Sequence, residues 1–364
     1  MLGVIQRIPR SEQLLICSSQ HHNGLKKVHA QLGIIPDITL SNGWFGNDVV
    51  TMSQMLGMML HAHAKFLRHI IPLRVRIKKH DRAQGTKSVA IVHGDTLTTV
   101  IGCYMGLALG LRVAHVEAGL RTHNWRTPFP EEIDRRIAGK FARIHFPPNE
   151  VAEKDLLIEK AKGEVINTRY NTAKDAIEQS WKYLSPEFKD LTLPAHYCLV
   201  LLHRTELIEN RNDLEAILKV IHAHASPKHP VVFTQHSTTW QKIRAYKFEH
   251  YLKKDGLIII PKQPYFDFME IVRYAEYIVT DGGGLQEDAF FLGIPTIVHR
   301  KKTERQDGIG FNAQLSGLDP KLVAEFLKHH KNKKEFARKI EGFSPSQVVV
   351  DSFRDSKYFK DTAS

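Results

Sequence analysis

Acidic and basic side chains crowd the segment AHVEAGLRTHNWRTPFPEEIDRR, residues 114–136, which begins like a buried strand. Charged groups among apolar residues cost free energy unless they are paired or in use. Paired carboxylates whose surroundings separate their pKa values can divide the roles of general acid and base. With Asp95 from an earlier turn, Glu117 and Glu131 are candidates for those roles. The cations that could balance them, or hold a phosphate, are Arg121, Arg126, Arg135 and Arg136.

The end of this segment also has an ordinary structural interpretation. PFPEEIDRRIAGKFA resembles a helix start, with a proline before it, acids on the first turn and arginines after them. Both interpretations hold for different residues: we expect Glu131 to be functional, and Glu132 and Arg136 to serve the helix.

A second group of candidates lies in TDGGGLQEDA, residues 280–289. Gly282, Gly283 and Gly284 stand where a helix begins, and bare backbone N–H groups there suit a phosphate. Glu287 could bind a ribose diol, although a solvated first-turn acid is the structural alternative for it and for Asp288. Neither GxGxxG nor GxxxxGK[ST] is present, so the dinucleotide and P-loop fingerprints are absent.

The elements that position these residues follow a repeated pattern of β-branched run, polar or glycine-rich turn and helix. Apolar strands alternating with helices predict parallel sheets covered on both faces, and ligands of such sheets lie beyond the carboxyl ends of the strands. The unusual polar residues collect at those predicted ends: Asp95, Glu117, His203, His236, Asp281 and Arg300. Helix capping would explain one or two of them, but not six.

The fold class predicted is α/β, with two doubly wound domains facing a cleft and a hinge near Thr168. Residues 1–168 would carry the acid and base groups, and residues 169–345 would bind a nucleotide. Residues 346–364 would return to the first domain. A length of 364 residues also indicates two domains.

The bulk composition is that of a globular protein, with 42% apolar and 25% charged residues. A formal charge of +12 favours anionic partners without choosing among them. The three cysteines lie in apolar runs without CxxC spacing, which indicates free thiols and a cytoplasmic location. No run is long enough to predict membrane insertion, and aromatic–basic interleaving typical of nucleic-acid binders is absent. The scattered histidines, including His61 and His63, do not predict a metal site.

Six stretches in a fixed order give the chain a resemblance to the UDP-N-acetylglucosamine 2-epimerase family, from about Gln20 to Gly317. They are VHGDTLTT at 92–99, HVEAGLRT followed by PFPEEIDRR, NTAKDA at 171–176, HRTE at 203–206, TDGGGLQEDA and TERQDG at 303–308. The resemblance implies two Rossmann-like domains, as in B-type glycosyltransferases, with UDP-sugar between them. It implies a homodimer that needs neither nicotinamide nor metal.

The reaction implied is inversion at C2 of UDP-GlcNAc to give UDP-ManNAc, a precursor of cell-surface polysaccharide. Loss of the C2 proton and of UDP leaves a 2-acetamidoglucal, to which UDP then adds back. By motif match Asp95, Glu117 and Glu131 exchange protons, with base and acid unassigned, and His203 assists UDP departure. The matched substrate-binding residues are Arg121, Arg135, Arg204, His236, Phe268, Gly282, Gly283, Gly284, Glu287 and Arg305.

Several positions depart from the family pattern. Thr205 replaces an arginine of HRRE, Gly282 replaces a serine of DSGG, and Asp134 replaces the asparagine of PEEIN. Gln20 and His21 match a motif that forms an activating UDP-GlcNAc site in some bacterial members, but His22 and Gly24 differ from the next residues of that motif. We therefore expect weak or no activation by UDP-GlcNAc.

Three alternatives remain open: a hydrolysing relative that releases ManNAc and UDP, an epimerase of a modified UDP-GlcNAc, and an inactive UDP-sugar binder. A further expectation concerns the first domain. QLLICSSQH, residues 13–21, resembles the family's second strand, and MLGVIQRI resembles the helix before it. By this match the first, central strand with its GTRPE-like turn is missing, and we expect an upstream strand in the native protein.

Overall fold

The chain divides into two units, one made of Met1–Glu178 with Phe343–Ser364 and the other of Gln179–Gly342. A computed structural model describes residues 1–18, 31–41, 52–123, 130–186, 188, 191–303, 305–330 and 342–355. The division falls after Glu178 rather than near Thr168, because the helix Ala173–Glu178 packs against helices of the first unit. Within that packing, the Asp175 carboxylate accepts a hydrogen bond from the backbone N–H of Ser346 at 2.8 Å.

The first unit alternates helices and strands along the chain. Its elements are α1 (Leu2–Arg7), β1 (Ile16–Cys17), β2 (Ile38–Thr39), α2 (Met52–Gln84), β3 (Val89–His93), α3 (Leu97–Ala108), β4 (Arg112–Val116), α4 (Glu131–Phe141), β5 (Ile144–Phe146), α5 (Glu150–Ile158), β6 (Glu164–Val165) and α6 (Ala173–Glu178).

The second unit repeats this alternation. Its elements are β7 (Cys198–Leu201), α7 (Thr205–Ile208), α8 (Arg211–His224), β8 (Val231–Gln235), α9 (Ser237–Ala245), β9 (Leu257–Pro261), α10 (Tyr265–Tyr274), β10 (Tyr277–Thr280), α11 (Gly283–Leu292), β11 (Thr296–Val298), β12 (Ala313–Leu315) and α12 (Pro320–His329). The chain then returns to the first unit with α13 (Pro345–Asp355).

The described strands of the first unit form two parallel sheets rather than one. The strand β1 pairs with β2, and a separate sheet has the order β3-β4-β5-β6. Apolar side chains of β4 and β5 pack with Val349 and Val350 of α13 and with Val4 of α1. The upstream strand expected from the sequence stays a prediction.

The second unit has one six-stranded parallel sheet in the order β12-β11-β10-β7-β8-β9. Its central strands are continuously apolar because helices cover both faces, as the sequence predicts. The chain moves from β7 outward through β8 and β9, and then crosses back to place β10 on the other side of β7. The position between the adjacent strands β7 and β10 is therefore a topological switch point. Open α/β sheets bind ligands beyond the carboxyl ends of the strands at such a point.

The described helices include none that combines the length and the apolar character needed to cross a bilayer.

Candidate active site

Asp95 and Arg135, two predicted residues of the first unit, are joined by two hydrogen bonds. Asp95 follows β3, and Arg135 lies on α4. The guanidinium donates from Nε and Nη2 to one carboxylate oxygen of Asp95, at 2.9 and 2.6 Å. Arg135 is 4% exposed, so its charge is held with little screening by water. The structure thus brings together a predicted acid–base group and a predicted substrate-binding arginine.

Glu117 stands at the carboxyl end of β4 with a strained backbone. Its φ is 65°, in the left-handed region that side chains other than glycine rarely adopt. The turn brings its carboxylate within 3.8 Å of His93 Nδ1, at the end of the neighbouring strand β3. Strain at a polar residue on a strand end is typical of functional sites.

A buried histidine fixes the turn that carries Asp95. His115 Nε2 lies 2.8 Å from the backbone carbonyl of Gly94, and the side chain is fully buried. Burial lowers its pKa to about 4, so the ring is neutral at pH 7 and donates this hydrogen bond. Sequence reasoning assigned no role to His115, since a histidine inside a strand gives no sign of its partner.

Glu131 and Asp134 add two carboxyl groups from the first turn of α4. Glu131 Oε2 is buried and accepts no hydrogen bond from the described residues. Burial, together with the nearby charges of Asp95 and Glu131, raises the pKa of Asp134 to about 7. A group that titrates near neutral pH can both take and give a proton. The sequence marked Asp134 only as a departure from the family pattern.

Arg121 and Glu132 have structural partners in this unit. Arg121 donates to both carboxylate oxygens of Glu159, at 2.9 and 2.7 Å. Glu132 is fully buried and accepts from Arg136 and from Thr122. The Arg136–Glu132 pair lies within α4, as the structural interpretation of these two residues predicts. The structure does not join Arg121 to the predicted acid–base groups, because its guanidinium is directed to Glu159 instead.

In the second unit, several of the predicted residues lie at the switch point between β7 and β10. Asp281, after β10, accepts hydrogen bonds from the backbone N–H groups of His203 and Arg204 after β7, at 2.8–3.0 Å. Its carboxylate also lies 3.2 Å from His203 Nδ1, so a positive charge on the ring would be stabilised there. Asp281 is fully buried.

His236 lies beside His203 because β8 is the other neighbour of β7. The two ring centroids are 5.2 Å apart. Burial, together with the charges of His203 and Lys262, lowers the pKa of His236 to about 4. His236 is therefore neutral at pH 7 and can accept a hydrogen bond from a ligand.

The glycine turn begins α11 at this same edge of the sheet, as predicted. Gly282 caps the helix and Gly283 is its first residue. A Cβ atom at Gly282 would lie 2.6 Å from His203 Cε1, so the serine of the family pattern would push this ring aside. A Cβ atom at Gly284 would meet nothing within 4 Å among the described residues. The helix N-terminus is thus open on the side where an anion could approach.

Glu287 and Arg305 form an ion pair beside this turn, at 3.1 Å. Gln286 fixes the loop that carries Arg305 by donating to the backbone carbonyls of Arg305 and Asp307. Burial raises the pKa of the neighbouring Asp288 against the opposing effect of the Arg305 charge, to about 7. Neither acid is the solvated first-turn residue of the structural alternative.

Of the remaining predicted residues, Phe268 and Arg300 are described and the others are not. Phe268 is half-buried on α10, and Arg300, at the end of β11, is paired with Glu206 at 2.9 Å. The effector candidates Gln20 and His21, together with His22 and Gly24, lie outside the described residues, and so does Arg126. Within the described part of the chain, no three His, Cys, Asp or Glu side chains are placed to hold a metal.

These features define a two-unit α/β protein with parallel sheets, in which polar side chains gather at the carboxyl ends of the strands. The chain belongs to the UDP-N-acetylglucosamine 2-epimerase family, whose model matches residues 4–345. The family predicted from the motifs is therefore confirmed.

Individual relatives agree with this assignment. The chain is 29% identical over 329 residues to the UDP-N-acetylglucosamine 2-epimerase of Bacillus subtilis (strain 168), a match that covers 89% of this chain and 80% of that protein. It is 26% identical over 359 residues to that of Salmonella typhimurium (strain LT2), covering 95% and 90%. The crystal structure of the Methanocaldococcus jannaschii UDP-GlcNAc 2-epimerase in complex with UDP-GlcNAc and UDP has a TM-score of 0.69, at 26% identity over 92% of this chain and 90% of that one.

Proposed function

We propose that this protein interconverts UDP-GlcNAc and UDP-ManNAc by inversion at C2. The observation that carries the proposal is the cluster of carboxyl groups at the ends of β3 and β4 and the start of α4, in a chain of this family. A C2 hydrogen of a sugar is a weak acid, so one group must remove it and another must return it to the opposite face.

The proton transfers are assigned to Asp95, Glu117 and Glu131. One carboxylate takes the C2 proton, and the electron pair of the C2–H bond forms a C1–C2 double bond. At the same time the C1–O bond breaks, and its electron pair leaves with UDP. In the return step UDP attacks C1, and a protonated carboxyl group delivers a proton to C2. The different surroundings of the three acids support this division: an arginine beside Asp95, backbone strain at Glu117 and a buried oxygen on Glu131.

The departing diphosphate is assigned to the second unit. His203 would assist its departure, since Asp281 can stabilise the charged ring. Arg204, His236 and the N-terminus of α11 at Gly282, Gly283 and Gly284 would hold UDP, with Glu287, Arg305 and Phe268 around it. Arg121 and Arg135 stay in the proposal as residues near the sugar, although the pairing of Arg121 with Glu159 supports a positioning role for it.

The deciding experiment monitors UDP-GlcNAc by NMR during incubation with the protein in heavy water. We expect reversible formation of UDP-ManNAc, with deuterium entering at C2. Accumulation of free ManNAc without UDP-ManNAc would replace this reaction with the hydrolysing one. Binding of UDP with a fully protonated C2 would contradict any catalytic role.

The proposal includes a homodimer that works in the cytoplasm without a bound nicotinamide or metal. The family resemblance supports the dimer, and three free cysteines support a reducing compartment. Light scattering on the purified protein measures the dimer directly, and a monomer at micromolar concentration that retains full turnover would contradict it.

A further inference from the structure

The first unit has a basic pocket between the C-terminal halves of α4 and α5. The pocket encloses about 480 Å³, which falls within the roughly 300–1,000 Å³ typical of small-molecule sites. Glu159 is the one acid of its lining. Half of its ten lining residues are basic, namely Arg136, Lys140, Arg143, Lys160 and Lys162.

This basic pocket lies at the end of the sheet opposite the candidate active site. Lys140 and Arg143 come directly before β5, and Lys160 and Lys162 come directly before β6. Because β4, β5 and β6 pair in parallel, these four residues lie near the amino ends of the strands. The carboxyl groups of the candidate active site follow the other ends of β3 and β4. The pocket is therefore a separate location in the same unit.

The one acid in the lining is already balanced by arginines. Glu159 accepts two hydrogen bonds from Arg121, at 2.9 and 2.7 Å, and lies 3.1 Å from Arg136 Nη1. Arg136 also donates to Glu132, at 3.0 Å. The Arg121 side chain is fully buried behind the pocket, where a Cβ atom at Gly139 would lie 3.3 Å from its Nη2. These two arginines and two glutamates balance one another and leave the other cations of the lining uncompensated.

Four cations of the lining lack a carboxylate partner. The side chains of Lys140, Lys160 and Lys162 are exposed, and no described carboxylate forms an ion pair with them or with Arg143. Arg143 instead donates from Nη1 to the backbone carbonyls of Lys140, Phe141 and Ala142, at 2.8–3.3 Å. This arginine is thereby fixed in position, whereas the three lysines can fold over a ligand.

Helix capping explains only part of this concentration of charge. The C-terminal end of a helix carries about half a negative charge, and Arg143 already caps that of α4. The helix α5 ends at a lysine in a position that favours glycine, since Lys160 has a φ of 54°. Gly163 then lets the chain turn sharply, because a Cβ atom there would collide with the backbone carbonyl of Arg143. This tight turn holds Lys162 beside Arg143.

We infer that the basic pocket binds a small soluble molecule that carries two or more linked phosphate groups. Phosphate oxygens accept charge-assisted hydrogen bonds from lysine and arginine, and a concave cationic surface concentrates anions. A single phosphate has about two negative charges near pH 7, fewer than the four uncompensated cations. A diphosphate or triphosphate matches them better. Phe141 and Leu156 also line the pocket and provide an apolar surface for the organic part of such a ligand.

The test uses the full-length protein and inorganic tripolyphosphate as the probe. Calorimetry is done with UDP at saturating concentration, so that the site proposed for UDP does not take up the probe. The test variant combines Lys160→Glu with Lys162→Glu. Its matched control combines Lys78→Glu with Lys79→Glu, which makes the same change of charge at exposed positions of α2. Backbone amide shifts with and without the probe locate the binding site.

We expect one tripolyphosphate to bind per chain, with an affinity that falls as the salt concentration rises. The shifts of Gly139 and Ala161 should change most. The Lys160 and Lys162 variant should bind at least roughly 10-fold more weakly, as expected when hydrogen bonds to charged groups are lost. The α2 variant should bind almost as tightly as the unaltered protein. None of these measurements depends on epimerase activity, so they succeed or fail separately from the proposed reaction.

Several results would overturn the inference. One is no binding of tripolyphosphate once UDP is saturating, and another is equal affinity of the two variants. Shift changes that map away from Gly139 and Ala161 would place the anion elsewhere. A further arm adds phosphatidylglycerol vesicles, because lipid headgroups also carry phosphate. Sedimentation with these vesicles that needs Lys160 and Lys162, without binding of tripolyphosphate, would mean that the surface docks on a membrane. If the Lys160 and Lys162 variant does not fold, the shift changes in the unaltered protein still decide.

Discussion

The His203 ring occupies the space that a side chain at position 282 would need, since a Cβ atom there would lie 2.6 Å from His203 Cε1. A glycine at 282 and the observed orientation of His203 are therefore coupled. Because position 282 is glycine rather than the serine of the family pattern, the imidazole of His203 can lie directly against the start of α11.

Gly282→Ala should displace the imidazole and lower turnover roughly 10- to 100-fold, the scale expected when a positioned group moves by about 1 Å. Steady-state rates with UDP-GlcNAc measure the loss. Gly284→Ala provides a comparison, because its Cβ atom meets no described protein atom within 4 Å. There we expect weaker UDP binding by calorimetry with an unchanged melting temperature. Near-normal turnover of Gly282→Ala would show that the ring position does not matter.

Glu117→Gln and His203→Ala should each lower turnover by about two to four orders of magnitude, the contribution typical of positioned acid–base groups. UDP affinity should fall less for Glu117→Gln, because His203 is the residue assigned to UDP. Turnover assays and calorimetry with UDP measure the two effects. A variant of either residue that turns over normally would remove that residue from the mechanism.

Glu117→Gly distinguishes the effect of backbone strain on stability from the role of the Glu117 carboxylate in turnover. Glycine adopts a φ of 65° freely, which relieves a penalty of about 1–2 kcal/mol for other residues. We expect a protein at least as stable as Glu117→Gln but equally inactive. Chemical denaturation of the two variants makes the comparison, and a clearly less stable glycine variant would show that Glu117 contributes contacts that outweigh its strain.

Asp134→Asn should change how stability depends on pH. The pKa of Asp134 is raised from 3.8 to about 7 by burial and by Asp95 and Glu131. The folded state then binds the proton more tightly, so stability present near pH 4 is lost as the pH rises to about 7. The asparagine variant should gain stability relative to the unaltered protein over that window and hold the gain above it. Melting curves at about pH 4.5, 6 and 8 measure this difference, and a constant difference would contradict the shifted pKa.

A buried histidine should make folding stability depend on pH in the opposite direction. Burial lowers the pKa of His299 from 6.5 to about 4, so the folded state resists its protonation. Its stabilising contribution is present above pH 6.5 and lost as the pH falls toward 4. His299→Asn, which can keep the bond to Ser316 Oγ, should reduce acid destabilisation relative to the unaltered protein. Melting temperatures across this pH range compare the variant with the unaltered protein, and equal pH profiles would contradict this assignment.

The strands, and the end of the sheet where the candidate residues gather, were predictable because they depend on local sequence pattern. Continuous apolar runs such as those before His203 and Asp281 identify buried parallel strands, and ligands lie beyond their carboxyl ends. The motifs also identified the family. None of this requires knowledge of which side chains meet.

The hydrogen bonds and ion pairs of these side chains were not predictable, because they depend on how segments distant in sequence pack together. Arg121 pairs with Glu159, which directly follows the later helix α5, and the Asp281 carboxylate accepts hydrogen bonds from the backbone after β7. The near-neutral pKa of Asp134 follows from burial and two neighbouring charges, which a spacing cannot reveal. The boundary between the two units falls after Glu178 because α6 is held by α1 and α13, the last of which comes from the opposite end of the chain.

The chain crossover that places β10 beside β7 has a consequence for folding. His203 and Asp281 are separated by 78 positions, so their contact has a high sequence separation, and such contacts form slowly because loop closure precedes any gain. On the ribosome, the backbone after β7 stays uncapped until Asp281 has left the exit tunnel. The part of the site proposed to bind the nucleotide therefore forms only after most of its unit has been synthesised, and nascent chains that stop earlier carry β7, β8 and β9 without it.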